Sequence, residues 1–390
     1  SRCLQSPDRI FERLNVAFLN EFENWKAVTI QAKIATATAD DVQRALASEQ
    51  LRLSDFVALL SPAAEEQLEA LAQRAHRLTQ QRFGKTIQLY APLYLSNECI
   101  NGCLYCGFNA SNKMTRRTLS LDEVEEEGRI LHQRGFRHVQ LLTGEAPQSV
   151  DNAYLVAAVT RLRPMFSSIS IEVYPMDTAG YAQMVAAGVD NLTVYQETYD
   201  RSLYAELHPF GPKRDFDWRL AAAERGGAAG LRSIGIGALL GLSDWRNEGF
   251  YVGLQARYLA KHFWRSRINI SLPRLRPADG GFAPRRPVSD AALVQLICAL
   301  RLLMPDSALV LSTRESAALR DHLLPLGITQ ISAGSCTAPG GYGHQEEASQ
   351  QFAIDDDRSP EQICSMLKAA GYDPVFKDWD RAFLDDVNKE

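Results

Sequence analysis

Three cysteines lie close together in one short segment of the chain. Cys99, Cys103 and Cys106 have the spacing CxxxCxxC, with Tyr105 directly before the last cysteine. Three thiolates on one loop can bind three irons of a four-iron, four-sulfur ([4Fe-4S]) cluster and leave the fourth iron open. An open iron can bind a small molecule and transfer an electron to it. The segment therefore predicts redox chemistry, with these three cysteines as cluster ligands.

Two other uses of the cysteines compete with this interpretation. A structural zinc site usually takes four ligands, often from two CxxC pairs, and the chain has no second CxxC pair. A disulfide would leave one of the three cysteines unpaired, and nothing in the sequence suggests export. A zinc-binding structural or nucleic-acid module remains the alternative of a different class.

Composition indicates an ordinary globular protein. Of 390 residues, 46% are hydrophobic and 23% are charged, and the net charge of −5 disfavours non-specific nucleic-acid binding. Every apolar run is shorter than the about 18 residues that a membrane-spanning helix needs. No secretory signal is recognisable. The remaining cysteines are scattered, which favours a reducing cytoplasm. They are Cys3, Cys298, Cys336 and Cys364.

The first part of the chain, residues 1–85, predicts a helical extension. Ser61 and Pro62 make a good helix start, a capping hydroxyl followed by proline at the first helical position. One helix is expected to run from there to Gly84, with apolar residues repeating every three to four positions.

From about residue 86 the pattern changes to short β-branched runs that alternate with longer amphipathic stretches. Eight such strand–helix units over about 250 residues match a (β/α)8 TIM-type barrel better than an open sheet. We therefore expect a barrel over residues 86–340 and a segment packed on it over 341–390. The predicted strands are Ile87–Leu95, His138–Thr143, Ser168–Tyr174, Asn191–Tyr195, Ser233–Leu239, Ile268–Leu272, Ala308–Ser312 and Thr329–Ser332. The predicted barrel helices include Leu121–Arg134, Ala179–Ala187, Phe216–Ala228 and Asp290–Leu303.

Polar clusters follow one predicted strand after another. Chemistry in such a barrel takes place at the carboxyl ends of the strands, and the cysteine loop itself follows the first strand. This recurrence predicts one site at that end of the barrel. The clusters are Thr143-Gly144-Glu145, Glu172, Gln196-Glu197, Arg274 with Arg276, Thr313-Arg314-Glu315, and 332–335.

Several of these motifs together resemble the aromatic amino acid lyase branch of the radical S-adenosylmethionine (SAM) enzymes. The similarity extends from about residue 40 to 380 and is closest to the tyrosine lyases of bacterial thiamine synthesis. The motifs that carry it are Tyr94-Leu95-Ser96-Asn97, Cys106-Gly107-Phe108, Leu142-Thr143-Gly144-Glu145, Val194-Tyr195-Gln196-Glu197-Thr198-Tyr199, Leu272-Pro273-Arg274-Leu275-Arg276-Pro277, Leu311-Ser312-Thr313-Arg314-Glu315, Pro339-Gly340-Gly341-Tyr342 and Lys377-Asp378-Trp379.

The resemblance implies a reaction and its cofactors. SAM bound to a [4Fe-4S] cluster would supply a 5′-deoxyadenosyl radical that takes a hydrogen from the amino group of L-tyrosine. The Cα–Cβ bond would then break to give 2-iminoacetate (dehydroglycine) and 4-cresol. Tryptophan or another aromatic amino acid is the alternative substrate. The related hydrogenase maturase has a second cysteine-ligated cluster, whereas Cys336 and Cys364 form no CxxC pair here. The implied partners are a thiazole synthase and, as electron donor, a flavodoxin or ferredoxin.

The resemblance also implies roles for individual residues. For SAM these are Tyr105, the methionine-binding Thr143, Gly144 and Glu145, the ribose-binding Gln196 and Glu197, Arg219 at the carboxylate, and Glu172. Gly237 leaves room for adenine or serves strand packing alone. For the substrate, Arg314 and Ser332 would bind the carboxylate and Tyr94 would face the amino group. Arg219 could instead be a helix-surface arginine, and Arg314 could form a structural ion pair with Glu315.

Overall fold

Eight parallel strands close into a barrel in the computed structural model, which describes residues 17–343 and 349–377. Strand β1 pairs with β2 on one side and with β8 on the other, so the sheet has no open edge between them. The predicted (β/α)8 barrel is confirmed. The strands are β1 Thr86–Ser96, β2 His138–Thr143, β3 Ser168–Glu172, β4 Asn191–Glu197, β5 Ser233–Ala238, β6 Arg267–Ser271, β7 Ala308–Leu311 and β8 Gln330–Ser332.

Two strands are irregular where they reach the carboxyl end of the barrel. The register of β1 against β2 shifts between Tyr94 and Ser96, and that of β4 against β5 shifts between Tyr195 and Glu197. Glu197 has φ 71°, and among the described non-glycine residues it alone has a positive φ. Such bulges redirect side chains and are common beside active sites.

Helices cover the barrel on the outside. They are α7 Leu121–Gln133, α8 Asn152–Leu162, α9 Thr178–Ala187, α10 Arg201–Leu207, α11 Phe216–Leu220, α12 Ala222–Ala228, α13 Trp245–His262, α14 Asp290–Leu303 and α15 Ala317–Leu323, with 3-10 turns at Pro212–Arg214 and Leu324–Leu326. Ser120 and Glu123 form a capping box at the start of α7. The predicted single helix Phe216–Ala228 is wrong, because Ala221 ends α11 and a new helix starts at Ala222.

The N-terminal extension is helical from Phe18 onward. Its helices are α1 Phe18–Asn24, α2 Ala27–Thr36, α3 Ala39–Ala47, α4 Leu53–Leu59, α5 Pro62–Glu65 and α6 Leu68–Phe83. Ser61 caps α5 through the backbone N–H of Ala64, but α5 ends after one turn, so the predicted continuous helix is two helices. The second, α6, packs along α14 and ends at Gly84 as predicted.

The chain after the barrel returns to it. Helix α16, Pro360–Ala369, leads to β9, Asp373–Val375, which pairs with the start of β1. No helix in the described ranges is long and apolar enough to cross a membrane. The division at residues 85 and 340 stays a prediction, and Cys3, Asp378 and Trp379 lie outside the described residues.

Candidate active site

A cavity opens at the carboxyl end of the barrel. Its wall combines residues from the strand ends, from the cysteine loop and from the segment after β8. Seven of the predicted site residues line it, namely Tyr94, Tyr105, Cys106, Glu172, Glu197, Arg314 and Ser332. Residues far apart in the sequence therefore meet at the predicted end of the fold.

The end of β2 supports one side of the cysteine loop. Gly144 donates its backbone N–H to Ser96, and a Cβ at Gly144 would overlap the carbonyl oxygen of Glu98. The backbone of Glu145 accepts a hydrogen bond from Ile100, and its carboxylate accepts one from the Asn101 amide at 2.7 Å. Gly144 and Glu145 thus hold the loop itself.

The chain that follows α10 supports the other side of the loop. The backbone N–H of Gly102 donates to Phe210, and that of Leu104 donates to Leu207. The backbone N–H of Lys213 donates to Asn101 Oδ1 at 2.8 Å. The cysteine loop is therefore fixed by backbone and amide hydrogen bonds on both sides.

The three thiols fit the inferred cluster. Burial raises the pKa of Cys103 to about 12 and also raises the pKa of Cys106, while the Lys213 charge opposes the shift at both. Amide groups approach two sulfurs, Asn101 Nδ2 at 3.8 Å from Cys99 Sγ and Gln351 Nε2 at 3.7 Å from Cys106 Sγ. Iron binds thiolates and so displaces the thiol protons that burial otherwise retains. The neighbouring amide N–H groups can donate to the iron-bound sulfurs.

Within the described ranges, no three His, Cys, Asp or Glu side chains converge as ligands of a single metal ion. In a [4Fe-4S] cluster each cysteine binds a different iron. The loop therefore needs to bring its three sulfurs only to separate corners of one cluster.

A compact group of charges lies beside the loop. Lys213 Nζ is 2.7 Å from Glu197 Oε1, and Arg219 Nη2 is 3.8 Å from the same oxygen. Burial acts to raise the pKa of Glu197, but Lys213 and Arg219 overcome it and hold the pKa below its usual value. Glu197 is therefore ionised, although it is buried. Arg219 is itself buried and donates to the Tyr195 carbonyl at 2.6 Å, which rules out a helix-surface position.

Glu172 has the opposite electrostatic behaviour. Burial, and then the Glu197 charge, raise its pKa to about 7. Its carboxylate accepts a hydrogen bond from Gln140 Nε2 at 2.5 Å. Two carboxylates of one cavity therefore differ in charge at neutral pH, because only Glu197 has cations in direct contact.

Arg314 has no polar partner of its own. In residues 17–343 and 349–377 its guanidinium forms no hydrogen bond or ion pair, and it stacks on Phe352 with 3.4 Å between Cζ and the ring centre. The alternative ion pair with Glu315 is wrong, because Glu315 binds Arg274, with 2.9 Å between Nε and Oε1. A partly buried guanidinium without a partner is suited to a bidentate carboxylate ligand.

Tyr105, the aromatic residue of the cysteine motif, is tied to a neutral histidine. His208 Nδ1 donates to the Tyr204 carbonyl at 2.7 Å, so its Nε2 accepts from the Tyr105 hydroxyl at 2.8 Å. Burial lowers the pKa of His208 to about 3, which keeps the ring uncharged. These bonds fix the orientation of the Tyr105 ring in the cavity wall.

Other residues predicted to bind SAM, like Gly144 and Glu145, do not line the cavity. Gln196 does not line the cavity, and its Nε2 instead donates to the Phe216 carbonyl of α11 at 3.4 Å. A Cβ at Gly237 would overlap the carbonyl oxygen of Ser271 in the neighbouring strand. The packing alternative therefore accounts for Gly237. The Thr143 hydroxyl is buried at the end of β2, forms no hydrogen bond within the described part of the chain and does not line the cavity.

Several cavity residues were not predicted from the sequence. Gln140 could have been found, because it is an inward-facing polar residue of a predicted strand. Three further cavity residues lie in connecting segments that have no periodic hydrophobic pattern, so only the tertiary structure brings them to the cavity. They are Lys213, Gln351 and Phe352.

Family models match most of the barrel and the chain after it. The Radical SAM superfamily model matches residues 93–251, and the Biotin and Thiamin Synthesis associated domain matches residues 271–373. Radical SAM enzymes use a [4Fe-4S] cluster with SAM, which are the two predicted cofactors.

Curated relatives cover nearly the whole chain. The 2-iminoacetate synthases of Salmonella typhimurium and Escherichia coli are each 47% identical over 352 residues, which is 90% of this chain and 93% of theirs.

Solved structures agree with this similarity. HydG, a maturase of the FeFe-hydrogenase, superimposes with a TM-score of 0.85 at 31% identity, over 90% of this chain and 79% of that one. HydG from Carboxydothermus hydrogenoformans superimposes with a TM-score of 0.80 at 34% identity, over 95% of this chain and 82% of that one. With the cysteine loop, the cavity and relatives of nearly equal length, the chain belongs to the 2-iminoacetate synthase family of radical SAM enzymes.

Proposed function

We propose that this protein cleaves the Cα–Cβ bond of L-tyrosine and releases 2-iminoacetate and 4-cresol. The 2-iminoacetate synthases that it resembles support the product. The observation that carries the proposal is the unpaired guanidinium of Arg314 in the same cavity as Cys106. An amino acid carboxylate is the ligand that this guanidinium lacks.

Cys99, Cys103 and Cys106 would hold the cluster, which together with SAM would supply a radical that removes one hydrogen from the substrate. The side-chain fragment released by Cα–Cβ cleavage would take up one electron from the reduced donor and one proton to become 4-cresol. As an ionised acceptor, Glu197 would bind the ribose hydroxyls, and Arg219, whose Nη2 is 3.8 Å from Glu197 Oε1, would pair with the SAM carboxylate. The role of Thr143 at the methionine part of SAM rests on the resemblance alone, because its hydroxyl does not line the cavity.

Orientation of the substrate follows from Arg314. Its guanidinium binds the carboxylate, and Ser332 lies on the same wall of the cavity. Tyr94 faces the amino group from the cluster side, because its hydroxyl donates to Gln351 Oε1 at 2.7 Å and the Gln351 amide contacts Cys106. Holding the carboxylate on one side brings the amino group toward the cysteine loop, where the radical forms.

Direct product analysis tests the activity. The anaerobic protein with reconstituted cluster is incubated with SAM, dithionite and L-tyrosine, and products are identified by mass spectrometry. We expect 4-cresol together with 2-iminoacetate or the glyoxylate that it yields on hydrolysis. L-tryptophan in a parallel reaction tests the alternative substrate. Turnover of tryptophan alone would contradict the proposal.

Substitution of Arg314 tests the observation that carries the proposal. Arg314→Ala should lower 4-cresol formation by about a hundredfold or more, because a misplaced substrate loses the reactive geometry. Arg314→Lys should retain part of the activity, since it keeps the charge but not the bidentate geometry. Iron content should not change. Arg285→Ala, at an exposed ion pair with Glu206, is the matched control, and normal turnover by Arg314→Ala would refute the assignment.

The partners belong to the same proposal. 2-Iminoacetate hydrolyses readily, so direct transfer to a thiazole synthase is its productive fate. A flavodoxin or ferredoxin is the proposed electron donor. The six described cysteines are free thiols, which suits a reducing cytoplasm as the location.

A further inference from the structure

Lys213 is a buried cation between the cysteine loop and the nucleotide-binding carboxylate. Its side chain is 14% exposed and lines the cavity, with Nζ 2.7 Å from Glu197 Oε1 and 5.6 Å from the centre of the Tyr105 ring. Its backbone N–H donates to Asn101 Oδ1, and Asn101 is the middle of the three residues between Cys99 and Cys103. Lys213 is thus anchored to the loop at its backbone and reaches the cavity at its ammonium.

The charges around Lys213 do not cancel. Glu197 is shared by two cations, Lys213 and Arg219, so its single negative charge does not offset both of them. Water cannot screen these charges well because the group is buried.

We propose that Lys213 sets the reduction potential of the cluster bound at Cys99, Cys103 and Cys106. A fixed positive charge in a poorly solvated site favours the state with one more electron. Lys213 therefore makes one-electron reduction by a low-potential donor easier than the three thiolates alone would allow. This role deepens the proposed function, rests on the cluster that it requires, and is independent of the identity of the substrate.

Redox titration of the cluster tests the role without substrate. The potential is measured by electron paramagnetic resonance on the anaerobic protein, with dithionite and mediators and with neither SAM nor tyrosine. Lys213→Met keeps most of the length of the side chain and removes its charge, so the midpoint potential should become more negative. Lys213→Arg should stay close to the wild-type potential. Arg214→Met makes the same kind of change at the next residue, which is exposed, and should not shift the potential.

Removal of the negative charge next to Lys213 independently tests the direction of the potential shift. Glu197→Gln removes the negative neighbour of Lys213 and should make the potential less negative. An unchanged potential in Lys213→Met with full iron and sulfide would overturn the proposal, as would shifts of both variants in the same direction. If Lys213→Met retains no cluster, the Glu197→Gln shift decides: a less negative potential supports the role, and any other result contradicts it. Shifts as expected in a protein that forms no 4-cresol would refute the proposed function alone.

Discussion

At the scale of single residues, side chains of the same type differ in charge or in pairing because their neighbours differ. Glu197 and Glu172 lie in one cavity, yet the cations at Glu197 keep it ionised while burial favours the neutral form of Glu172. Arg314 and Arg274 differ in the same way, since Arg274 binds the carboxylates of Glu315 and Asp290 whereas the Arg314 guanidinium contacts the Phe352 ring and, among the described residues, has no polar partner. The group with unsatisfied bonding capacity is the one available to a ligand.

The raised pKa of Glu172 predicts a pH-dependent stability. Its pKa is about 7 in the folded protein against 4.5 for the free side chain, so protonation stabilises the fold below about pH 4.5. This contribution is lost as the pH rises through 7. Because Glu172→Gln stays neutral, it should gain stability over wild type by about 1–3 kcal/mol between pH 5 and pH 8.

Urea denaturation of the cluster-free protein and the variant at both pH values measures the difference. The other titrating groups are common to both proteins and cancel in the comparison. An equal difference between the two proteins at pH 5 and pH 8 would show that Glu172 is already ionised at the lower pH.

At the scale of elements, the end of β4 combines a register shift with the positive φ of Glu197. The conformation costs a non-glycine residue roughly 1 kcal/mol or more. The bulge brings the Glu197 carboxylate toward Lys213 instead of the helix layer. Strain at this position is thus part of how the site is built.

Two substitutions at Glu197 separate the strain from the lost ion pair. Both Glu197→Gly and Glu197→Ala leave Lys213 without its carboxylate, but only glycine adopts φ 71° without steric cost. Glu197→Gly should therefore be more stable than Glu197→Ala by about 1 kcal/mol in urea denaturation. SAM binding should be weakened in both variants alike. Equal stability of the two would mean that the strand relaxes once the carboxylate is removed.

The elements themselves were largely predictable from the sequence. All eight barrel strands were predicted, because their apolar, β-branched runs reflect burial on both faces. The break at Ala221 and the short helix α5 were missed, because apolar periodicity continues across both interruptions and only packing decides between one helix and two. Among the site residues, those at strand ends were found by their position after a strand, whereas Lys213 and Gln351 depend on contacts between distant segments.

At the scale of the whole molecule, the segment after the barrel closes one side of the cavity. Backbone N–H groups of Gln351, Ala353 and Asp355 donate to the carbonyl oxygens of Thr337, Pro277 and Thr313, which follow different strands. This segment carries the Gln351 amide to Cys106 and the Phe352 ring to Arg314. Residues outside the predicted barrel range thereby complete its active site.

Asp356 anchors this segment to helix α15 through Arg320. Its carboxylate is buried and binds Arg320 and Arg358, and Arg320 in turn donates to the backbone carbonyl of Ser332. Asp356→Asn would leave the buried Arg320 guanidinium without its counter-charge, which should cost about 3–5 kcal/mol of folding free energy. The anchor of Phe352 would loosen at the same time, so the KM for tyrosine should rise while the three cysteines still hold iron.

Thermal denaturation and steady-state kinetics of Asp356→Asn measure both effects. Asp321→Asn is the matched control, because it removes a partner of Arg358 at a partly exposed ion pair and leaves Arg320 paired. We expect its stability to change by about 1 kcal/mol or less. If Asp356→Asn lost stability but bound tyrosine normally, the segment would hold the fold together without positioning the substrate.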